Sequence, residues 1–275
     1  MKTTKYRAIS FLLIVLFTVS ILAGCSSGGT GDNGETPVPS TSANTATPTA
    51  VITPTPTATP TPTPPATSTP SPTPEKDEIR NVSDIVNGDV TRVQFGAYVW
   101  SVLSVEDGKA LIITEDIIEK RVFSAEWVPI TWEKSDTRKY LNGDFYNTFS
   151  AEEKALIFEK QNENPNNQWF GTPAGNATKD KVFLLSLDEV VKHFGDSGQL
   201  ANKNPDDGNK IDDAYNAARI AKHTDGTDGY WWLRTFGDSK ASTAVVDYDG
   251  KIGVDGAFFI SEGGGVRPAL WLKLQ

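Results

Sequence analysis

A long run of threonine and proline confines any folded domain of this chain to its C-terminal part. Between residues 36 and 74 nearly every position is Thr, Pro, Ala or Ser, and the run holds twelve of the chain's seventeen prolines. Such a segment offers little apolar surface to bury and few backbone N–H donors. We therefore predict a disordered linker over residues 25–75, which in polyproline II would reach on the order of 100 Å. A passive spacer is the simpler interpretation; glycosylation of its hydroxyls is the other.

The N-terminal residues have the composition of a signal peptide. The first seven residues carry three positive charges, and residues 8–22 are almost all apolar. This stretch is shorter than the roughly 20 residues that a bilayer-spanning helix needs, so an uncleaved membrane helix is the less favoured alternative. It ends in Leu-Ala-Gly followed by Cys25, which resembles the lipobox of bacterial lipoproteins. The resemblance implies a lipoprotein signal peptide at residues 1–24, a lipid on Cys25, and attachment to the extracytoplasmic face of the cell membrane.

Residues 76–275 have the composition of one globular domain. They hold all seven tryptophans, and about 200 residues can bury a core without disulfides or a structural metal. Cys25 is the chain's single cysteine, so this domain has neither a disulfide nor a thiol nucleophile. Without the signal peptide, 23 basic residues stand against 35 acidic residues, a net charge of −12. This charge argues against nucleic acid and against anionic lipid surfaces as partners.

Strand signals at the two ends of this domain and helix signals between them predict an α+β fold with a mainly antiparallel sheet. Strands are predicted at residues 93–95, 98–105, 110–114, 181–185, 230–234, 244–248, 251–254 and 266–274. Three short helices are predicted between them, at residues 150–160, 186–195 and 213–222. A shorter helix is predicted before these three, at residues 135–142. Residues 161–178 are predicted to form a loop, and Pro268 indicates that the last strand starts late or lies at an edge.

Five short motifs follow one another through the domain. They are Phe95-Gly96-x-Tyr98-x-Trp100-x-Val102-Leu103, Thr131-Trp132-Glu133-x-Ser135-x-x-Arg138-x-x-Leu141-Asn142, Phe183-Leu184-Leu185-Ser186, Trp232-Leu233-Arg234 and Gly265-Val266-Arg267-Pro268-Ala269-Leu270. Together they resemble an extracellular domain family of unknown function found in surface proteins of Firmicutes-type bacteria. That family has no assigned activity, so the resemblance implies no catalytic residues. The ending of the domain also resembles C-type-lectin-like and formylglycine-generating-type domains, a likeness of fold that carries no function.

The histidines and the acidic clusters do not indicate a catalytic or metal centre. His193 and His223 fall at predicted helix C-termini, where a partly cationic ring interacts favourably with the last carbonyls. No His/Cys spacing suits zinc. The carboxylates of residues 206–213 do not match an EF-hand loop, and a turn followed by an Asp helix cap is the simpler interpretation. We therefore predict no metal, no cofactor and no catalytic residues.

Trp231 is the leading candidate for a ligand contact. Trp231 and Trp232 are neighbours on a predicted strand, so their side chains point to opposite faces of the sheet. If Trp232 fills the core, Trp231 is exposed, and Asp228 and Asp238 can supply hydrogen-bond acceptors for a sugar stacked on its indole ring. The alternative is that another layer of the fold covers Trp231.

These features favour a non-enzymatic binding module that a cell-surface lipoprotein presents to a glycan or protein ligand. The alternative is a hydrolase acting on wall or environmental polysaccharide through paired carboxylates. Glu126, Glu133 and Asp180 are candidates for that pair, although Glu133 could instead pair with Arg138. Two carboxyls roughly 5 to 9.5 Å apart in a cleft would favour the hydrolase. A spacer domain in a larger assembly is a third hypothesis.

Replacing Cys25 with serine tests the lipid anchor. The acyl chains attached to the thiol contribute about 0.8 kcal/mol for each CH₂ that the membrane buries. Cys25→Ser should therefore release the chain from membranes or leave it as an unprocessed precursor, which fractionation and N-terminal mass spectrometry measure. A Cys25→Ser chain that stays in the membrane and is still cut before residue 25 would contradict the anchor.

Overall fold

In the computed structural model, the residues described are 78–85 and 89–275. The predicted signal peptide at residues 1–24, the lipidated Cys25 and the linker at residues 25–75 lie outside them. In the described part of the chain, no helix is long and apolar enough to cross a membrane.

Fourteen strands and four short α-helices make up the described fold. The strands are β1 (Arg80–Asn81), β2 (Arg92–Phe95), β3 (Tyr98–Glu106), β4 (Lys109–Thr114), β5 (Glu119–Lys120), β6 (Ile157–Phe158), β7 (Lys160–Asn162), β8 (Thr178–Asp180), β9 (Lys210–Ile211), β10 (Trp231–Phe236), β11 (Ser242–Val246), β12 (Ile252–Phe258), β13 (Gly265–Val266) and β14 (Ala269–Lys273). The helices are α1 (Asp136–Tyr140), α2 (Ala151–Leu156), α3 (Leu187–Phe194) and α4 (Asn216–Arg219).

Two six-stranded sheets carry the fold. The first has the order β1-β2-β3-β4-β14-β6, the second has the order β5-β13-β10-β11-β12-β9, and β7 and β8 form a separate pair. In these three sheets every strand pairing is antiparallel except β1 with β2 and β10 with β13. The mainly antiparallel α+β class that the sequence predicts is therefore confirmed. The C-terminal β14 pairs with β4 along five residues, so the two ends of the domain share one sheet.

The helix starts follow the serine caps. The Ser150 hydroxyl accepts the backbone N–H of Glu153, whose carboxylate accepts the backbone N–H of Ser150 at 2.7 Å, and Ser186 and Glu189 repeat this capping box. The reciprocal bonds satisfy N–H groups that a helix start leaves unpaired. The sequence therefore predicts where α2 and α3 begin, and the prediction is confirmed.

The helix ends were harder to predict. The predicted helix at residues 150–160 stops at Leu156, because Ile157 and Phe158 pair with β14 as β6. The predicted stop of the first helix near residue 142 is also wrong: α1 continues as a π-helix, Leu141–Phe145, whose Leu141 and Phe145 are buried in the core. The third predicted helix shrinks from residues 213–222 to the single turn of α4.

The buried segment at residues 181–185 bridges the two sheets instead of forming a regular strand. The backbone of Phe183 exchanges hydrogen bonds with Ala269 of β14, at 2.8 and 2.9 Å. Two residues later, the carbonyl of Leu185 accepts the N–H of Arg234 in β10 at 3.0 Å. The strand predicted here is therefore wrong in type although its burial is right.

The last predicted strand, residues 266–274, is split in two. Pro268 lies between β13 and β14, which belong to different sheets. A proline has no N–H to donate to a ladder, which explains why pairing resumes only at Ala269. Of the two readings of Pro268, the late start is correct; β14 is not an edge strand, since it lies between β4 and β6.

The Arg234 guanidinium anchors this bridging segment from within the core. Arg234 is 2% exposed, and its guanidinium forms two hydrogen bonds with the Glu189 carboxylate. It also donates to the carbonyls of Leu184 and Glu163, at 2.8 and 3.1 Å, and to the side chain of Asn164. A buried charge is tolerated only when it is paired and its donors are satisfied. The network therefore fixes α3, the bridging segment and the β7–β8 loop against β10.

The ion pair with Arg234 makes the stability of the fold depend on pH. Burial raises the pKa of Glu189, but the Arg234 guanidinium and the Ser186 N–H outweigh burial and hold that pKa below its usual 4.5. The pair therefore stabilises the fold above pH about 4.5. This stabilisation is lost as the pH falls through the lowered pKa, because the folded state must then take up a proton.

Glu189→Gln tests this pair. We expect the substitution to lower the free energy of unfolding by about 3 kcal/mol at pH 7, because it leaves the Arg234 charge buried without a counter-ion. Urea unfolding at pH 7 and at pH 3 should show this difference shrinking in acid, where the wild-type carboxyl is itself protonated. Glu126→Gln, at an exposed position, is the control. An equal loss at both pH values would contradict the ion pair.

Candidate functional site

Trp231 is buried, so the prediction that it is exposed is wrong. Trp231 and Trp232 are both 0% exposed, and all six residues of β10 are buried. The Trp231 indole N–H donates to the carbonyl of Arg219 at 3.1 Å, and the Trp232 indole N–H donates to the carbonyl of Arg121 at 2.7 Å. The two indoles are thus covered by different parts of the fold. This is the alternative stated for the sequence, that another layer covers Trp231. Trp231 offers no surface on which a sugar could stack.

Helix α3 and a second buried arginine provide the cover. The Phe194 ring packs against Trp231 with centroids 6.3 Å apart, and the Arg267 guanidinium lies 4.9 Å from the Trp231 ring centroid. Arg267 also donates to the carbonyls of Thr114 and Arg219. Burial lowers the pKa of Arg267 to about 10, against the raising effect of Asp116 and Glu115, so the group stays cationic at neutral pH. A cation over an indole face adds to the packing.

The two aspartates predicted beside Trp231 lie in different surroundings. Asp228 is exposed, and its carboxylate forms an ion pair with Lys222 at 3.2 Å. Asp238 is exposed and lines a cavity of about 210 Å³ together with Ser242, Asp255, Gly256, Ala257, Phe258 and Ser261. A second cavity of about 360 Å³ adjoins it and shares Asp255, Gly256 and Ala257. We call these two cavities together the β12 groove.

A β-bulge in β12 forms the floor of the β12 groove. Thr243 of β11 pairs with Ala257 and Val245 pairs with Gly253, so one β11 residue faces three residues of β12. Gly256 has φ +81°, and a Cβ there would stand 2.2 Å from the Thr243 carbonyl oxygen. Only glycine fits both this backbone conformation and this close approach. Bulges redirect side chains locally and are frequent beside functional sites.

Neutral donors hold two of the three carboxylates of the groove, Asp238 and Asp255. Asp255 accepts the Asn209 amide at 3.2 Å and the N–H of Gly256 at 3.0 Å. Asp238 accepts the Ser242 hydroxyl at 2.8 Å, and its backbone N–H donates to the Asp255 carbonyl. In the adjoining cavity Lys210 pairs with Asp247 at 2.7 Å. The groove therefore presents hydrogen-bonding oxygens in fixed positions.

Two exposed aromatic rings stand at the rim of the groove. Trp127 and Phe258 are each 55% exposed, and their ring centroids are 5.0 Å apart at an angle of 49°. Trp127 belongs to the segment that precedes α1, and Phe258 ends β12 beside the bulge. Sequence reasoning missed this pair. The available signal was a tryptophan in Trp127-Val128-Pro129, a stretch where no element is predicted to bury it.

Of the three carboxylates proposed for hydrolysis, one is buried and two are exposed. Asp180 is buried and accepts four side-chain donors, from Trp132, Arg138, Asn162 and Thr178. Glu126 and Glu133 are exposed. Arg138 forms its ion pair with Asp180 at 2.6 Å and reaches Glu133 only through the backbone carbonyl, so the suggested Glu133–Arg138 ion pair is wrong. Asp180 is a structural anchor, because its carboxylate is buried and four side-chain donors from separate segments converge on it.

The histidines lie in packed surroundings. His193 is in the last turn of α3, where burial and Lys192 lower its pKa despite Glu189 and Glu106. His223 is not at a helix end as predicted, since α4 stops at Arg219; it is buried in a turn, and burial lowers its pKa. Among the described residues, no three His, Cys, Asp or Glu side chains are placed to hold a metal ion.

This geometry defines the class of the protein. It is an α+β domain of two mainly antiparallel sheets, with an open groove beside a bulge in β12. The chain belongs to the family described as domain of unknown function (DUF6273), which matches residues 107–274, more than half of the chain. Four of the five sequence motifs fall inside the matched residues, in agreement with the predicted membership of a family of unknown function. No curated protein and no solved structure matches the chain.

Truncating each buried tryptophan tests the corrected placement. Trp231→Ala and Trp232→Ala should each lower the free energy of unfolding by about 3 to 5 kcal/mol, because both leave a cavity and unpaired polar groups. Trp127→Ala, at the exposed rim, should cost about 1 kcal/mol or less. Denaturant unfolding measures all three. A Trp231→Ala protein as stable as Trp127→Ala would show that Trp231 is not part of the core.

Proposed function

We propose that this chain is a non-enzymatic binding module for a glycan, held outside the cell on a lipid-anchored linker. The observation that carries the binding proposal is the exposed pair of Trp127 and Phe258 beside the β12 groove. The placement outside the cell rests on the N-terminal sequence and its lipobox-like ending at Cys25. The long Thr/Pro run suits such a placement because it extends the reach of the domain from the membrane.

The aromatic pair suits carbohydrate for a physical reason. A sugar ring has one apolar face of C–H groups and a rim of hydroxyls, so it needs a flat apolar surface next to hydrogen-bond acceptors. Trp127 and Phe258 supply the first, and the carboxylates and hydroxyls of Asp238, Asp255 and Ser242 supply the second. Phe258 lies on β12, and an aromatic side chain has only two side-chain torsions to fix, so little conformational freedom is lost on binding.

A protein ligand is the second candidate. Val128 and Ile260 are each 43% exposed and follow the two rim aromatics closely in sequence. Exposed apolar side chains that cluster and are bordered by polar groups are typical of protein interfaces. Hydrolysis is less well supported than either kind of binding, because a glycosidase needs two available carboxyl groups, and the candidate Asp180 is buried and held by four side-chain donors.

Trp127→Ala tests the proposed function. The full-length chain should be retained by at least one member of a panel of purified cell-wall sacculi and insoluble polysaccharides. Loss of the indole should weaken that retention about tenfold or more, the effect expected when a central aromatic contact is removed.

Tyr248→Ala is the matched control. Tyr248 is 65% exposed and lies in the turn at the opposite end of the β11–β12 hairpin from Phe258, roughly 20 Å away along β12. It should leave retention unchanged. Equal retention of Trp127→Ala and the unsubstituted chain would contradict the site, and retention by no glycan at all would leave the protein ligand as the stronger candidate.

A further inference from the structure

We infer that the β12 groove selects glycans that are uncharged or carry amines and rejects anionic glycans. The inference rests on the proposed function and adds the chemical class of the ligand to it. The charge preference follows from which charged side chains of the groove are paired with each other. The exposed aromatic rings alone do not distinguish a charged sugar from a neutral one.

Two carboxylates in the groove have no cationic partner. In the described part of the chain, no Lys or Arg side chain lies within 4.0 Å of Asp238 or Asp255, and their donors are a hydroxyl, an amide and a backbone N–H. Lys210, which lines the adjoining cavity, is already paired with Asp247. Counted over the lining residues, Lys210 and Asp247 cancel, and Asp238 and Asp255 leave the groove with a formal charge of −2.

One of these carboxylates is placed to contact a ligand. Asp238 is exposed, and the Ser242 hydroxyl bonds only its Oδ1. Its Oδ2 has no hydrogen-bond donor within the described residues. A carboxylate accepts from sugar hydroxyls and more strongly from an ammonium group, because a bond between two charged groups is shorter and stronger than one between neutral groups.

The same charge opposes an anionic ligand. A uronate or phosphate stacked on Trp127 and Phe258 would bring like charges to within a Debye length, about 8 Å at physiological ionic strength, of Asp238 and Asp255. The aromatic contact does not depend on charge. Discrimination between charged ligands should therefore weaken as salt is added, whereas stacking of a neutral sugar should persist.

Three oligosaccharides of equal length test the inference: a neutral N-acetylglucosamine hexamer, a cationic glucosamine hexamer and an anionic galacturonate hexamer. Titration calorimetry of the full-length chain in detergent micelles should give the tightest binding for the cationic hexamer. The neutral hexamer should bind more weakly and the anionic hexamer at least tenfold more weakly than the cationic one. Raising the salt to 1 M should reduce these ratios.

Asp238→Asn should reduce the preference for the cationic over the neutral hexamer about three- to fivefold, the range of an exposed ion pair. The neutral hexamer should lose less affinity than the cationic one, because the Asn amide oxygen still accepts hydrogen bonds from sugar hydroxyls. Asp228→Asn, which removes an exposed carboxylate that is paired with Lys222, is the matched control and should change neither. Anionic binding equal to cationic binding, or a cationic preference that is undiminished in Asp238→Asn, would overturn the inference.

These outcomes separate the inference from the proposed function. If the neutral hexamer binds and Trp127→Ala abolishes that binding, the glycan module stands, whatever the charge preference. If no hexamer binds but a lysine-rich hexapeptide does, then the groove takes a basic protein segment, and both the glycan module and its selectivity are wrong.

Discussion

The buried guanidinium of Arg234 determines how the two sheets of this domain are joined. A positive charge in the middle of a strand must find a carboxylate and several carbonyls within reach, or the core cannot form around it. Glu189 at the start of α3 supplies the carboxylate, and the carbonyls of Leu184 and Glu163 supply two acceptors. These partners come from two separate stretches of chain, residues 184–189 and the loop after β7. A single side chain therefore fixes the path of the irregular segment whose backbone bonds both β14 and β10.

Other polar residues of the sequence motifs act in the same way. Arg267 covers Trp231 and bonds carbonyls of two distant segments, and Arg138 holds Asp180 together with the indole of Trp132. The buried arginines and the acids of these motifs and their partners are therefore tied up in holding the fold together. This explains why they indicate the fold without indicating a reaction. The β12 groove is built from different residues, which lie outside every motif.

Periodicity and capping residues predict the regular elements well. The β3–β4 hairpin and the starts of α2 and α3 depend on nearby residues, which a sequence displays directly. The misjudged features depend on distant ones. Whether Trp231 is covered is decided by Phe194 and Arg267, and whether residues 181–185 form a strand is decided by Arg234 and Ala269. One sequence feature does indicate that Trp231 is covered: an amphipathic helix such as α3 must pack its apolar face against part of a sheet. The likeness to C-type-lectin-like domains stays a prediction.

The central claim is that ligand binds at the Trp127–Phe258 rim and not at Trp231 or Trp232 in β10. The most direct test is a nuclear magnetic resonance titration that follows the indole N–H signals of the chain's seven tryptophans. A neutral N-acetylglucosamine oligomer is added to the ¹⁵N-labelled full-length chain, with each signal assigned by substitution. We predict a saturable shift of the Trp127 signal, while the signals of Trp231 and Trp232 stay in place. Shifts confined to Trp231 or Trp232, with Trp127 unmoved, would contradict it.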